Sequence, residues 1–266
     1  MFKPIVAFAL LSALLLSCQN PQPASPETAE KKKFHLPVIV QDSSQEKVTL
    51  LEIKAVNPVS FPLMGKYRFC DTLKLQNEGP YMDAIKQSDI IHEKGSIGIW
   101  DSLNTDGFQI FADYKTSVHY RNNPYDQTRF YFPVYIVNET DATKLFFGKD
   151  RHAWGVQEAK DTSDYAHWYA IECPSYDFCG NGNFGVKVGP GEFIVLIVPK
   201  YNGSQTGSMR VRVQVDHTSY VSLRYEGSYH QEQFRFDMSH PSLYPARVSR
   251  SLIDFGIYGA AFKRFK

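Results

Sequence analysis

In the run MRVRVQV, Met209, Val211, Val213 and Val215 alternate with Arg210, Arg212 and Gln214. A period of two predicts a strand with one face in a core and the other in water. The run before it, EFIVLIVP, is apolar from Phe193 to Val198 without alternation, the pattern of a strand covered on both faces. Asn202-Gly203 and Gly207 lie between the two and predict a hairpin with a rather long loop. Gly189-Pro190-Gly191 supplies a turn on the other side. Further strands are predicted at 47–56, 66–76, 95–100, 107–114, 129–138, 144–148, 168–172, 184–188, 219–226 and 232–238. The one internal helix candidate is 80–91, PYMDAIKQSDII, with weak periodicity.

Short strands at this spacing, with turn residues between them, predict an all-β fold of the sandwich or barrel type. A polar, turn-rich break near YRNNPYDQT divides the pattern. It suggests a β-rich unit over 34–122 followed by an immunoglobulin-like β-sandwich over 123–240, with a C-terminal tail over 241–266. The resemblance to immunoglobulin domains is architectural only, since Cys70, Trp100 and Cys173 are too widely spaced for the Cys–Trp–Cys signature.

Composition narrows the function more by exclusion than by indication. The net charge is +1, with acids and bases interleaved. No basic face announces a nucleic-acid partner, which is not expected. Aromatic residues make up 14 %, mostly Phe and Tyr, which favours strands.

The first 33 residues have a different character. Lys3, the apolar run Ile5–Leu16 and the small residue Ser17 form the three parts of an export signal over 1–17. The run is about a dozen residues, whereas crossing a bilayer takes roughly 20. Leu15-Leu16-Ser17-Cys18 resembles the lipobox of bacterial lipoproteins. That resemblance implies cleavage before Cys18, acylation of Cys18, and a membrane partner reached through the N-terminal lipid. Gln19, where an Asp would signal the inner membrane in the enterobacterial sorting rule, implies the outer membrane, facing the periplasm or the outside. Residues 19–33, rich in Pro, Ser, Thr, Glu and Lys, read as a flexible linker, so 18–33 is a mooring and its tether.

Export places the remaining cysteines in an oxidising compartment. Cys173 and Cys179 bracket CPSYDFC and are expected to pair. Cys70 is then left over, either as a buried thiol or as the true partner of one of them. Three cysteines without a suitably spaced histidine do not suggest zinc, and no metal site or cofactor is expected. Gly180-Asn181-Gly182-Asn183-Phe184-Gly185 matches G-x-G-x-x-G, but the expected cysteine bridge stands where the preceding strand is needed and Gly189-Pro190-Gly191 cuts off any helix a few residues later. Ser102, Asn104, Asp106, Gly107 and Asp113 fall at calcium-loop spacings. Their strand-like flanks favour a β-turn instead.

No catalytic residue can be named. The histidines do not form H-E-x-x-H, and G-x-S-x-G is not found. The densest unusual stretch is 165–185, where His167, Trp168, Tyr169, Tyr176 and Phe178 combine with a looped cysteine pair and glycines. Rigid aromatic rings offer contact area at little entropic cost. The reading is a non-catalytic envelope lipoprotein that binds another envelope component, with a scaffold or assembly role. The alternative is a glycan-binding module or glycan hydrolase built on the 165–185 loop. The candidate partners are therefore an envelope protein and a polysaccharide.

Overall fold

The computed structural model describes residues 33–42, 48–52, 59–77, 85, 89–92, 103, 105–122, 125–161, 164–173, 182–235 and 260. Among them the chain is all-β: thirteen strands form one large sheet that folds back on itself into two packed layers, and two more form a small parallel pair.

The first layer centres on β12 (Glu192–Pro199), which is hydrogen-bonded on one edge to β2 (Phe61–Arg68) and on the other to β7 (Arg129–Asn138). Every residue from Phe193 to Pro199 is buried. Ile194, Leu196 and Val198 enter the main core, and Phe193, Val195 and Ile197 enter a second core behind the layer. Unbroken apolarity thus reports two covered faces, as expected. Two short strands, β5 (Phe108–Ala112) and β6 (Val118–Tyr120), share the far edge of β7. Pro133, which has no N–H to give, falls opposite the gap between them, where its carbonyl accepts from Asp113 N at 3.0 Å.

The second layer is built on β9 (His152–Asp161), flanked by β10 (Asp164–Ala170) and β13 (Gln205–Val215). Both β14 (Thr218–Val221) and β15 (Tyr225–Tyr229) pair with the other edge of β13. The start of β9 also pairs with β2 and with β8 (Lys144–Lys149), and β8 continues through β11 (Asn183–Val188) to β4 (Ile90–His92). That junction makes the sheet continuous. Strands from 34–122 and from 123–240 therefore lie side by side in it, with Tyr120 of β6 directly across from Arg129 of β7.

β13 follows its alternation residue by residue: Met209, Val211, Val213 and Val215 are buried while Arg210, Arg212 and Gln214 are not. The expected β12–β13 hairpin is not formed. Both edges of β12 are occupied, so Lys200–Ser204 carries the chain across to the other layer. The expected strand at 232–238 is, in its described part, a 3₁₀ turn at Gln231–Phe234. His230 N donates to Gln233 Oε1 at 2.7 Å, and Phe234 is anchored against Tyr229. Of the helix candidate, Ile90 and Ile91 belong to β4, and most of 80–91 lies outside the described residues, as does the strand expected at 95–100. At 47–56 the described residues contribute only single bridges, at Thr49 and Leu51. In the tail, Ala260 alone is described, and it is buried.

The small pair, β1 (Val38–Val40) and β3 (Thr72–Lys74), covers the second core. A bulge in β2 helps to fill that core. The register passes from Val195↔Gly65 to Leu196↔Leu63, so Met64 is the extra residue. The shift turns Tyr67 into the second core and sends Lys66 to the opposite side, where it meets Asp89 Oδ2 at 2.8 Å and Glu192 Oε2 at 2.9 Å. Gly65 makes the bulge with φ of +136°, and a Cβ there would lie 2.8 Å from the Tyr67 hydroxyl. Gly65→Ala is expected to lower stability by about 1–3 kcal/mol, read as a shift of the urea midpoint at unchanged slope.

Candidate functional site

Successive side chains of β9 point to opposite faces of the second layer, and polar groups gather on both. On the outer face, Glu158 is 1 % exposed and bound by two arginines. Arg210 Nε lies 2.6 Å from its Oε2, and Arg212 Nη2 lies 3.2 Å from its Oε1. Trp168 of β10 stands opposite Lys160 in the register. The Arg210 guanidinium lies 4.3 Å from the Trp168 ring centroid, and Lys160 Nζ lies 5.5 Å from it. Strand pairing accounts for the cluster, since Arg210 is directly across from Glu158. Three cations and one indole thus surround a single buried carboxylate, leaving the patch net positive.

The inner face holds a second network. Glu172, which follows β10, is fully buried. Its Oε1 accepts the backbone N–H of Gln157 at 2.7 Å, and its Oε2 accepts Gln157 Nε2 at 3.1 Å together with the Tyr201 hydroxyl. The carboxylate here does what a neighbouring strand's carbonyl would do, while Ile171 N donates to the Gln157 carbonyl at 3.1 Å. Gln157 also donates to the Pro199 carbonyl at 3.0 Å and accepts from the Tyr225 hydroxyl at 2.8 Å. Burial pushes the Glu172 carboxyl up to about 7, against the pull of its three hydrogen bonds. Burial, then the nearby Glu172 charge, holds Tyr201 and Tyr225 well above the ordinary phenol range. The network is bonded to itself, with Gln157, Glu172 and Tyr201 buried and Tyr225 half-buried at its margin, so it is suited to holding strands together.

The expected aromatic cluster is divided. Trp168 joins the outer cationic patch. Tyr169 turns inward, its ring edge-on to Phe234 at 6.0 Å. His167 is exposed, with its ring 6.2 Å from that of Tyr169. Tyr176 and Phe178 lie outside the described residues. Because Arg210 covers part of the Trp168 ring, less of it is open to stack on a sugar.

The expected Cys173–Cys179 bridge is not made: Cys173 is a free thiol, 2 % exposed, and Cys179 lies outside the described residues. Cys173 sits beside Glu172 in the interior, with its carbonyl fixed by Val59 N at 2.8 Å. Burial first, and then the Glu172 charge, pushes its thiol up to about 12, where it is a poor nucleophile. Cys70 is half-buried at the margin of the second core.

The phosphate-loop match resolves into a strand: Gly182 turns with φ of +84°, and Asn183–Val188 is β11. Of the calcium-loop match, Gly107 adopts φ of +85° before β5, while Asp106 and Asp113 lie at opposite ends of that strand. Asp106 accepts from Thr218 Oγ1 at 3.3 Å, and Asp113 accepts from Thr116 N at 3.3 Å.

Two groups important to the site were missed in the sequence, Glu158 and Glu172. The outward arginines of β13 were the one signal that could have led to Glu158. The fold and site define an all-β protein with a sealed carboxylate network on one side of a sheet and a cation–aromatic patch on the other. Neither a protein-family model, a curated protein sequence nor a solved structure matches the chain.

Proposed function

We propose that the chain is a non-catalytic lipoprotein of the bacterial envelope, moored to the outer membrane through acyl chains on Cys18. In this reading it binds another envelope component through the patch formed by Trp168, Lys160 and Arg210. The observation that carries it is the division of polar chemistry across the second layer. Among the groups able to do acid–base work, Glu172 and Tyr201 are buried and bonded to each other, and the half-buried Tyr225 has its hydroxyl bonded to Gln157. The half-buried groups on the outer face are cations and an indole, a combination suited to recognition. A net-positive patch around an indole suits an acidic surface on a protein partner.

The test is cross-linked recovery from intact cells, comparing the wild type with Cys18→Ala and with the pair Lys160→Glu, Trp168→Ala. A discrete protein recovered with the wild type is expected to fall by about tenfold or more with the paired variant. Cys18→Ala is expected to leave the membrane fraction. Recovery of polysaccharide in place of a protein would turn the reading to the glycan-binding alternative. A Cys18→Ala chain that stays with the membrane would remove the mooring.

A further inference from the structure

In the β1–β3 pair, β3 turns Leu73 into the second core and leaves Thr72 and Lys74 outside, as a layer in contact with water should. β1 also turns Ile39 inward, yet its outward positions are Val38 and Val40, preceded in the same alternation by Leu36. These three are 67 %, 44 % and 46 % exposed. Seven large apolar side chains are exposed among the described residues, and three of them fall in this five-residue stretch. The stripe itself carries no charge. Polar pairs stand beside it and at its ends: His35 Nε2 is 3.3 Å from Asp71 Oδ1, and Lys74 Nζ is 3.2 Å from Asp42 Oδ1. A strand this apolar on its water side is an interaction surface or an aggregation hazard.

We infer that the stripe Leu36–Val38–Val40 rests on the bilayer surface, with anionic phospholipid as its occupant. The inference builds on the lipoprotein reading. Between Cys18 and Phe34 lie residues 19–33, fifteen in all. Fifteen residues reach no more than roughly 50 Å even when fully extended. Phe34 fixes where it ends, because its ring packs against Phe69, Phe111, Tyr135 and Phe193 at 5.1–5.5 Å. The stripe begins two residues later. A body of this size has a radius of gyration of about 17 Å, so even at full stretch the tether is little longer than the body is thick. The face at the end of the tether therefore meets lipid most often. Lys31, Lys32 and Lys33 close the tether and supply the charge that an anionic surface attracts. Apolar side chains flanked by lysines are the composition of an interfacial contact.

The test uses the chain from residue 18 onward with Cys18→Ser, which carries no acyl group and keeps the compact unit Lys33–Lys266 whole. It is expected to co-sediment with vesicles of phosphatidylethanolamine and phosphatidylglycerol, and less with neutral phosphatidylcholine vesicles or at high salt. Leu36→Ser, Val38→Thr and Val40→Thr together are expected to weaken partitioning by about tenfold or more while leaving the melting temperature in place. In methyl NMR, lipids carrying a headgroup nitroxide are expected to broaden the Val38 and Val40 signals selectively. Vesicles left unbound by the parent, a triple variant that binds as well as the parent, or Val38 and Val40 signals untouched by the nitroxide would each overturn the inference. None of these outcomes depends on acylation. The lipoprotein reading fails separately, if the protein from cells carries an unmodified Cys18.

Discussion

Phe193→Ala is expected to lower stability by about 3–5 kcal/mol, a large share of the total for a domain of ordinary stability. Phe193 is fully buried, and its ring stands 5.2 Å from that of Phe34, 5.7 Å from Tyr135, 5.8 Å from Tyr67 and 6.3 Å from Phe69. Truncation leaves a hole at the point where the N-terminal segment, the β2 bulge and β12 meet. Phe34 then loses one of the rings that hold it, and the β1–β3 pair loses part of its footing. Urea denaturation would give the cost, and hydrogen exchange over 34–42 would show faster opening than in the parent. Phe193→Leu, which keeps most of the volume, is expected to cost less than half as much. Equal losses for the two variants would mean that the aromatic cluster is not what holds this layer.

The second large effect concerns Glu172. Glu172→Ala removes the acceptor for three donors at once and is expected to cost about 2–4 kcal/mol. Glu172→Gln separates hydrogen bonding from charge. The folded-state value of about 7 lies above the ordinary 4.5, so the folded protein holds the proton more tightly than the unfolded chain does. Between about 4.5 and 7 the folded state therefore binds more protons, and this group's contribution falls as pH rises. It is most favourable below 4.5 and is lost above 7. Linkage puts the whole change on the order of 3 kcal/mol. The pH dependence of stability in the parent minus that in Glu172→Gln should show a downward slope across this window and none outside it. An identical pH profile in the two proteins would contradict the burial of this carboxyl.

The parts of the fold written in apolar pattern were legible. β7 spans 129–138 as expected, and β8, β11, β12 and β13 fall close to their predicted positions, because each buries ordinary hydrophobic side chains at a regular period. β9 was not seen, although it joins the two layers. Its interior positions include Gln157 and Asp161, Glu158 is buried on its outer side, and Gly155 sits where a Cβ would strike the Phe61 ring. Polar residues that are buried because they are paired look, one at a time, like residues in water. β1 was hidden for the opposite reason, since its outward positions are apolar but exposed. For the site, Trp168 and the β13 arginines could be picked out, but their meeting point at Glu158 depends on β9. Glu172 is one acid between an isoleucine and a cysteine, and nothing local marks it. The β12–β13 hairpin failed because adjacency in sequence and a turn-forming Asn-Gly do not say whether a strand's edges are already taken.

The central place of β12 also sets the order in which the molecule can be completed. β2 ends at Arg68 and β12 begins at Glu192, with the whole of β7 made in between. A ribosome adding roughly 5–20 residues per second takes about 6–25 s to cover that distance. Throughout it β2, and in its later part β7 as well, exist as apolar strands without the neighbour that will bond to both. Contacts so far apart in sequence are slow to form, and open edges of this kind invite pairing with other chains. A cell making this protein has to shield two incomplete strands until the one that closes them arrives.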